Sequence, residues 1–220
     1  MTSALLLGSI GTIVDSSELQ RRAFNEAFHI HSLSWNWERE EYCKLLQISG
    51  GSKRIQQYAQ DRGEAVDASA IHQTKSEIFH QLMQRPEVKL RTGVAQTVDE
   101  IKKAGWLLGL VTTTSQENVD QMLDVVEDQL SRSAFDVIIT SNDVVDGKPS
   151  SECYELALVK LGVQASDARA VEDNIDGLRS AKAAGIVCIA FPNANTVFHE
   201  FAGAQAVTQE LNSSLILGSD

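Results

Sequence analysis

Four apolar residues, Ala4 to Leu7, run into a stretch broken by Gly8 and Gly11. An apolar run of that length, bounded by glycine, predicts a strand buried on both faces of a parallel sheet. Asp15-Ser16-Ser17-Glu18 has the spacing of a capping box, so a helix is predicted to begin there. Leu19, Ala23, Phe24, Ala27 and Phe28 then recur at helical spacing and give it one apolar face. Trp35 and Trp37 fall in a connector, and Glu38 to Leu46 reads as a second helix. The glycine break in Ile48-Ser49-Gly50-Gly51 opens a third, and a fourth is predicted from Asp67 to Met83, ending before Pro86.

Beyond Leu90 the texture changes to alternating elements. Gly93 to Ala104 reads as a helix closed by Gly105, Trp106 to Thr112 as a strand, Gln116 to Val126 as a helix and Phe135 to Thr140 as a strand. Glu152 to Leu161 is a helix ended by Gly162, and Ala168 to Val171 a short strand. Ile175 to Ala184 is a helix ended by Gly185, and Ile186 to Phe191 the next strand. Repeated strand-helix-strand order implies an α/β fold on a Rossmann-like parallel sheet with right-handed crossovers. The tail after Val207 carries no clear pattern.

Composition narrows the function classes. A chain of 220 residues, 43% hydrophobic and 22% charged, reads as an ordinary soluble globular protein with one full core and room for a small second module. A net charge of -11 argues against a broad basic surface, so neither nucleic acid nor a membrane is an expected partner. Cys43, Cys153 and Cys188 are scattered without metal or disulfide spacing, which favours free thiols in a reducing compartment. The start lacks a signal-peptide pattern and no apolar run is long enough to cross a bilayer, so a cytoplasmic location is expected. The five histidines are scattered and read as surface or packing residues.

Four places follow predicted strands, and a parallel sheet brings such places together along the edge where ligands bind. They are Gly8 to Thr12, Thr112 to Thr114, the loop of Gly147-Lys148-Pro149, and Glu172-Asp173. A hydroxyl on such a loop can contact phosphate or only cap the next helix; strand-end position favours phosphate for Thr112, and capping for Thr113 and Thr114. Lys148 is either a solvated loop residue or an anion partner. Glu172 and Asp173 suit a helix N-terminus as well as a cation site.

As a set, these stations resemble the four motifs of the haloacid dehalogenase superfamily of phosphatases and phosphomutases. The resemblance runs from the first strand through Val14-Asp15-Ser16 and on to Ala183-Ala184-Gly185, and is nearest to the beta-phosphoglucomutase and phosphoglycolate phosphatase branch. It implies a core of residues 1–15 and 88–220 with a helical cap of 16–87 inserted. It also implies that Thr112 and Lys148 contact a substrate phosphate, that Glu172 and Asp173 help to hold Mg2+, and that the ligand is a small phosphorylated metabolite or other anion. Arg91-Thr92-Gly93-Val94 resembles the family's RPGV turn, whereas Ser151 and Glu152 depart from its usual Pro-Asp. Cap residues Lys53 and Arg54 could face a substrate, with a solvated helix face as the default.

The largest departure is in the first motif. Gly8 stands where the resemblance puts the nucleophilic aspartate, and Ile10 where it puts the general acid/base. Glycine offers no attacking oxygen and isoleucine moves no proton. Ser9, by alternation, faces away from the direction of Gly8, and neither it nor Asp15 has an identifiable activating base. The sequence therefore predicts first a protein that keeps an anion pocket but has lost aspartyl-phosphate chemistry, with weakened magnesium binding and no catalytic residue to name. The alternatives are an active phosphatase with a non-standard nucleophile, and a structural or interaction protein.

Overall fold

The apolar opening run becomes β1 (Ala4–Leu7), the central strand of a parallel sheet ordered β3-β2-β1-β4-β5. Its neighbours are β2 (Leu107–Val111) and β4 (Ala168–Glu172), with β3 (Val137–Ile139) and β5 (Val187–Ala190) outside them. Ala4 sits beside Leu107 on one flank and Ala168 on the other, so β1 is hydrogen-bonded on both edges as well as covered on both faces. The structure is a computed structural model and describes residues 2–8, 10–47, 50–85 and 88–218. The readings made on Ser9, Ile48, Ser49, Pro86 and Glu87 lie outside those residues.

Alternation along β1 divides the interior. Leu5 and Leu7 enter one apolar cluster and Ala4 and Leu6 another, as a strand of period two requires. The first cluster continues through Ile13 and Val14 into the helices that follow, α2 (Ser17–Ile30), α3 (Arg39–Leu45), α4 (Gly51–Asp61) and α5 (Ala68–Met83). The predicted stripe on α2 holds, with Ala23, Phe24, Ala27 and Phe28 buried. Trp37 anchors the connector. Its ring lies 4.8 Å from Phe24 and 4.7 Å from Phe28, while Asn25 accepts from its backbone N–H and Arg21 and Asn25 donate to its carbonyl. Burying aromatic side chains of this size stabilises by roughly 1.5–3 kcal/mol each, which lets a short helical insertion hold together.

The rest of the chain alternates as predicted through α6 (Val94–Lys103), α7 (Gln116–Val126), α8 (Glu152–Leu161) and α9 (Ile175–Ala183). Gly162 closes α8 with φ of 66°, a left-handed cap that costs glycine little. Two short helices were not anticipated: α1 (Ile10–Ile13), within the first loop, and α10 (Ser214–Leu217), in the tail. The capping box also differs. Ser16 makes no side-chain cap; instead the Asp15 carboxylate accepts from the Ser17 backbone and hydroxyl, and Glu18 bonds Arg21 and Asn195 rather than reaching back. The helix starts at Ser17, one residue later than a cap at Asp15 implies.

Among the described residues, no helix is long and apolar enough to cross a membrane.

Candidate functional site

All strands point the same way, so the loops leaving β1, β2, β4 and β5 meet along one edge of the sheet. Gly8 ends β1 there, its backbone N–H donating to the Val171 carbonyl of β4 at 2.8 Å. The chain then turns through α1, which buries the Ile10 side chain and the Thr12 hydroxyl.

Glu172, at the end of β4, is fully buried. Its Oε1 accepts from the Lys148 ammonium at 2.5 Å and from the Tyr154 hydroxyl at 2.6 Å. Lys148 also donates to the Val111 carbonyl at 2.7 Å, which ties the loop before α8 to the end of β2. The Lys148–Pro149 peptide bond is cis. Burial alone would lower the Lys148 pKa, but the adjoining carboxylate raises it above the usual lysine value. Burial also pushes the Glu172 carboxyl upward, against the pull of the ammonium. With two donors on Oε1, the geometry supports the ionised pair. An ammonium has three donors, so one remains for a ligand.

Asp173 is held separately. Its two oxygens accept from the Thr12 hydroxyl at 3.0 Å and from the Asn193 amide at 2.8 Å. Asn193 is fixed in turn by Thr196, whose hydroxyl accepts from the Asn193 backbone and donates to the Asp173 carbonyl. Arg91 closes this side by donating to the carbonyls of Gly11, Phe191 and Pro192, with its guanidinium 3.4 Å from the Phe191 ring centroid. The Arg91 turn therefore clamps the first loop to the last. Asp15, one of the alternative nucleophiles considered, is also engaged, with Ser17 and the Ala194 amide.

Thr112, buried at the end of β2, accepts from the Thr114 backbone N–H at 3.2 Å. Ser115 caps α7, and Thr114 accepts from the Asn118 side chain. The loop is thus pinned internally, with the Thr112 hydroxyl hydrogen not spent in that bond.

Across from these stations, the helices inserted after β1 supply the other wall of a cleft of about 790 Å³. Thr112, Lys148 and Asp173 line its floor; Glu172 does not, because it lies behind them. Arg54 corrects the default reading of a solvated helix face. It is 8% exposed, donates to the Leu45 carbonyl and lies 5.8 Å from the Phe24 and Tyr42 ring centroids. Lys75 escaped the sequence reading altogether. Its ammonium is buried over the rings of Phe24 and Phe79 with Gln20 as polar partner, and burial, then Arg54, lowers its pKa to about 7. His72 lines the same wall and is held down to about 4, by burial first and then by Lys75 and Arg54, so it is neutral near pH 7. The signal for Lys75 was present. It stands four residues after Ile71 and four before Phe79, on the apolar stripe of α5.

A model of the haloacid dehalogenase-like hydrolases matches residues 11–191. The chain belongs to that family. The match begins at Gly11, so the correspondence of Gly8 and Ile10 to the catalytic aspartates rests on the motif resemblance. Protein CbbY of Cereibacter sphaeroides is 41% identical over 207 residues, covering 93% of this chain and 90% of that protein. A crystal structure of CbbY from Rhodobacter sphaeroides in complex with phosphate is 40% identical, covers 96% of this chain and 95% of that one, and superposes with a TM-score of 0.85. A mutant of the same protein, in complex with xylulose-(1,5)bisphosphate, aligns equally well. These relatives favour the second expectation, a hydrolase acting on a small phosphorylated metabolite, over the first, in which turnover is lost.

The family implies a magnesium ion, and the donors here do not fit one. Magnesium wants near-octahedral oxygen ligands at about 2.1 Å. Among the described residues, no group of three or more His, Cys, Asp or Glu side chains is placed to hold a metal. Both Asp173 oxygens and Glu172 Oε1 already accept from protein donors, and residue 8 contributes no carboxylate.

Proposed function

We propose that the cleft binds a small phosphorylated sugar, and that the chain hydrolyses its phosphate ester by a route that does not pass through residue 8. One observation carries the binding half: Arg54, Lys75 and Lys148 bring positive charge to a single cleft together with the Thr112 hydroxyl. A cleft of about 790 Å³ is of the size small-molecule sites have. The CbbY complexes with phosphate and with xylulose-(1,5)bisphosphate support a ligand of this class, and the family supports hydrolysis.

The chemistry must differ from an aspartyl-phosphate route, since no side chain at residue 8 can attack. Water is then the nucleophile: its oxygen bonds to phosphorus, the phosphorus–sugar oxygen bond breaks, and the leaving oxygen takes a proton from solvent. Asp173 is the carboxylate on the cleft floor that can accept the proton of the water. Ile10 gives no help to the leaving group, and missing general acid/base assistance costs on the order of 10²- to 10⁴-fold. Turnover on this reading is slow.

A second reading is binding without turnover. It is favoured by the Asp173 carboxylate, both of whose oxygens already accept from Thr12 and Asn193 before any water arrives. Both readings are tested by calorimetry and phosphate release on a panel of sugar phosphates, xylulose-(1,5)bisphosphate included. Release that disappears in Asp173→Asn carries the first, and binding without release carries the second. No binding across the panel defeats both.

A further inference from the structure

Glycine at residue 8 is more than the loss of a nucleophile, because its missing side chain is the space that Glu172 fills. A Cβ built on Gly8 would meet the carboxyl carbon and both oxygens of Glu172 at under 3.0 Å. A Cβ on Gly177, in the first turn of α9, would meet the same three atoms from the other side. The carboxylate is thus seated between two glycines and fixed through Oε1 by Lys148 and Tyr154, with Oε2 buried and without a hydrogen-bond partner. That bare oxygen faces the glycines rather than the cleft, since Glu172 has no exposed surface and does not line it. Asp173 repeats the arrangement in the first loop. It occupies the position that a Cβ on Gly11 would need, and its oxygens are engaged by Thr12 and Asn193.

We propose that Glu172 has taken the seat residue 8 leaves empty, closing the charges of the sheet edge within the protein, so that an anion is bound there without a divalent cation. The last clause rests on the reading of the cleft as an anion site; the first does not. The physical logic is competition for oxygens. A hard cation that dehydrates reluctantly would have to displace an ammonium and a phenol from one carboxylate, or a hydroxyl and an amide from the other. With residue 8 contributing nothing, it would gain too few ligands in return. A phosphate instead meets the remaining Lys148 proton, the Thr112 hydroxyl and the cations of the opposite wall.

Three measurements on the full chain test this. Titration of Mn2+ alone, followed by its electron paramagnetic resonance signal, should show no saturable site up to about 5 mM, and a saturable site in that range overturns the proposal. Gly8→Ala adds one methyl group against the Glu172 carboxyl and should lower Tm by about 5 °C, as overpacking does. The same change made in Lys148→Met/Glu172→Ala, where the seat is empty, should cost far less; an equal loss in both backgrounds, or none in either, refutes the seat. Should that background fail to fold, the Mn2+ titration and Gly8→Ala decide. Finally, the Kd for inorganic phosphate should change less than about twofold between EDTA and millimolar Mg2+, and any larger tightening by Mg2+ overturns metal independence. If phosphate fails to bind under both conditions, the anion-site reading and the last clause fall, while the first two measurements still judge the seat.

Discussion

The two walls of the cleft handle buried charge in opposite ways. On the sheet edge, Lys148 faces Glu172 at 2.5 Å, and Asp173 is met by Thr12 and Asn193. On the helical wall, Arg54 and Lys75 are buried over aromatic rings, and the partners of their head groups in the structure include a carbonyl and an amide oxygen. A buried ammonium met by a neutral amide oxygen, as Lys75 is, costs stability, and the cost is offset when an anion arrives. A cation already paired with one has less left to gain. On the proposed reading of the cleft, Lys75 therefore gains more from an anion than Lys148 does, and the sheet edge contributes more of the rigidity.

The sharpest way to break that contrast is to remove half of the paired wall. Lys148→Met leaves Glu172 buried without its ammonium, and losing one partner of a buried pair costs about 3–5 kcal/mol. Lys148→Met/Glu172→Leu removes both charges and should cost much less. Urea denaturation of the two variants measures the difference. Equal losses would mean that packing around Tyr154, rather than the pair, carries the stability.

The helical wall makes the next prediction, through pH. The Lys75 pKa is pushed by burial from the ordinary lysine range to about 7 in the folded chain. Between pH 7 and 10 the unfolded chain then holds the proton that the folded chain has released, so stability rises with pH across that window. Relative to Lys75→Met, the wild type should gain on the order of a few kcal/mol from pH 7 to pH 10. Denaturation curves at both ends of the window measure it, and a constant difference between the proteins would remove Lys75 as the source. The same substitution should weaken sugar-phosphate binding roughly 10- to 100-fold at pH 6, where the ammonium is formed, which corresponds to the worth of a hydrogen bond to a charged group.

Much of the frame was readable in advance, because its signals are local. The boundaries of α7 and α8 follow from Ser115 and Gly162, and the burial of β1 from four apolar residues in a row. The four stations met along one edge because parallel strands leave no other arrangement. What stayed hidden depends on distant partners. Nothing near Tyr154 says that its hydroxyl meets Glu172, and nothing near Asn193 says that it holds Asp173. Asp15 and Glu18 had the right spacing for a capping box, but Ala194 and Asn195 compete for those carboxylates from the far end of the chain. Lys53 and Arg54 looked alike as adjacent basic residues; the helix leaves Lys53 exposed at the lining of the cleft and lays Arg54 onto Phe24 and Tyr42.

The smallest effect tests how the walls are joined. His80 on α5 reaches Asn118 on α7 at 2.7 Å, and Asn118 donates to the Thr114 hydroxyl at 2.9 Å. Because the Asn118 contact to His80 is made by its carbonyl oxygen, Nε2 must carry the hydrogen. His80→Ala should cost about 0.5–1.5 kcal/mol in denaturant, the net worth of one hydrogen bond. His80→Gln, which restores a donor, should recover part of it. The chain of contacts ends in the Thr112–Ser115 loop, so His80→Ala should also loosen sugar-phosphate binding by a few-fold, and Asn118→Ala should do the same without adding to it. Additive losses in the double variant would mean that each residue acts on the ligand by its own path, and that no link runs from the helical wall to the loop.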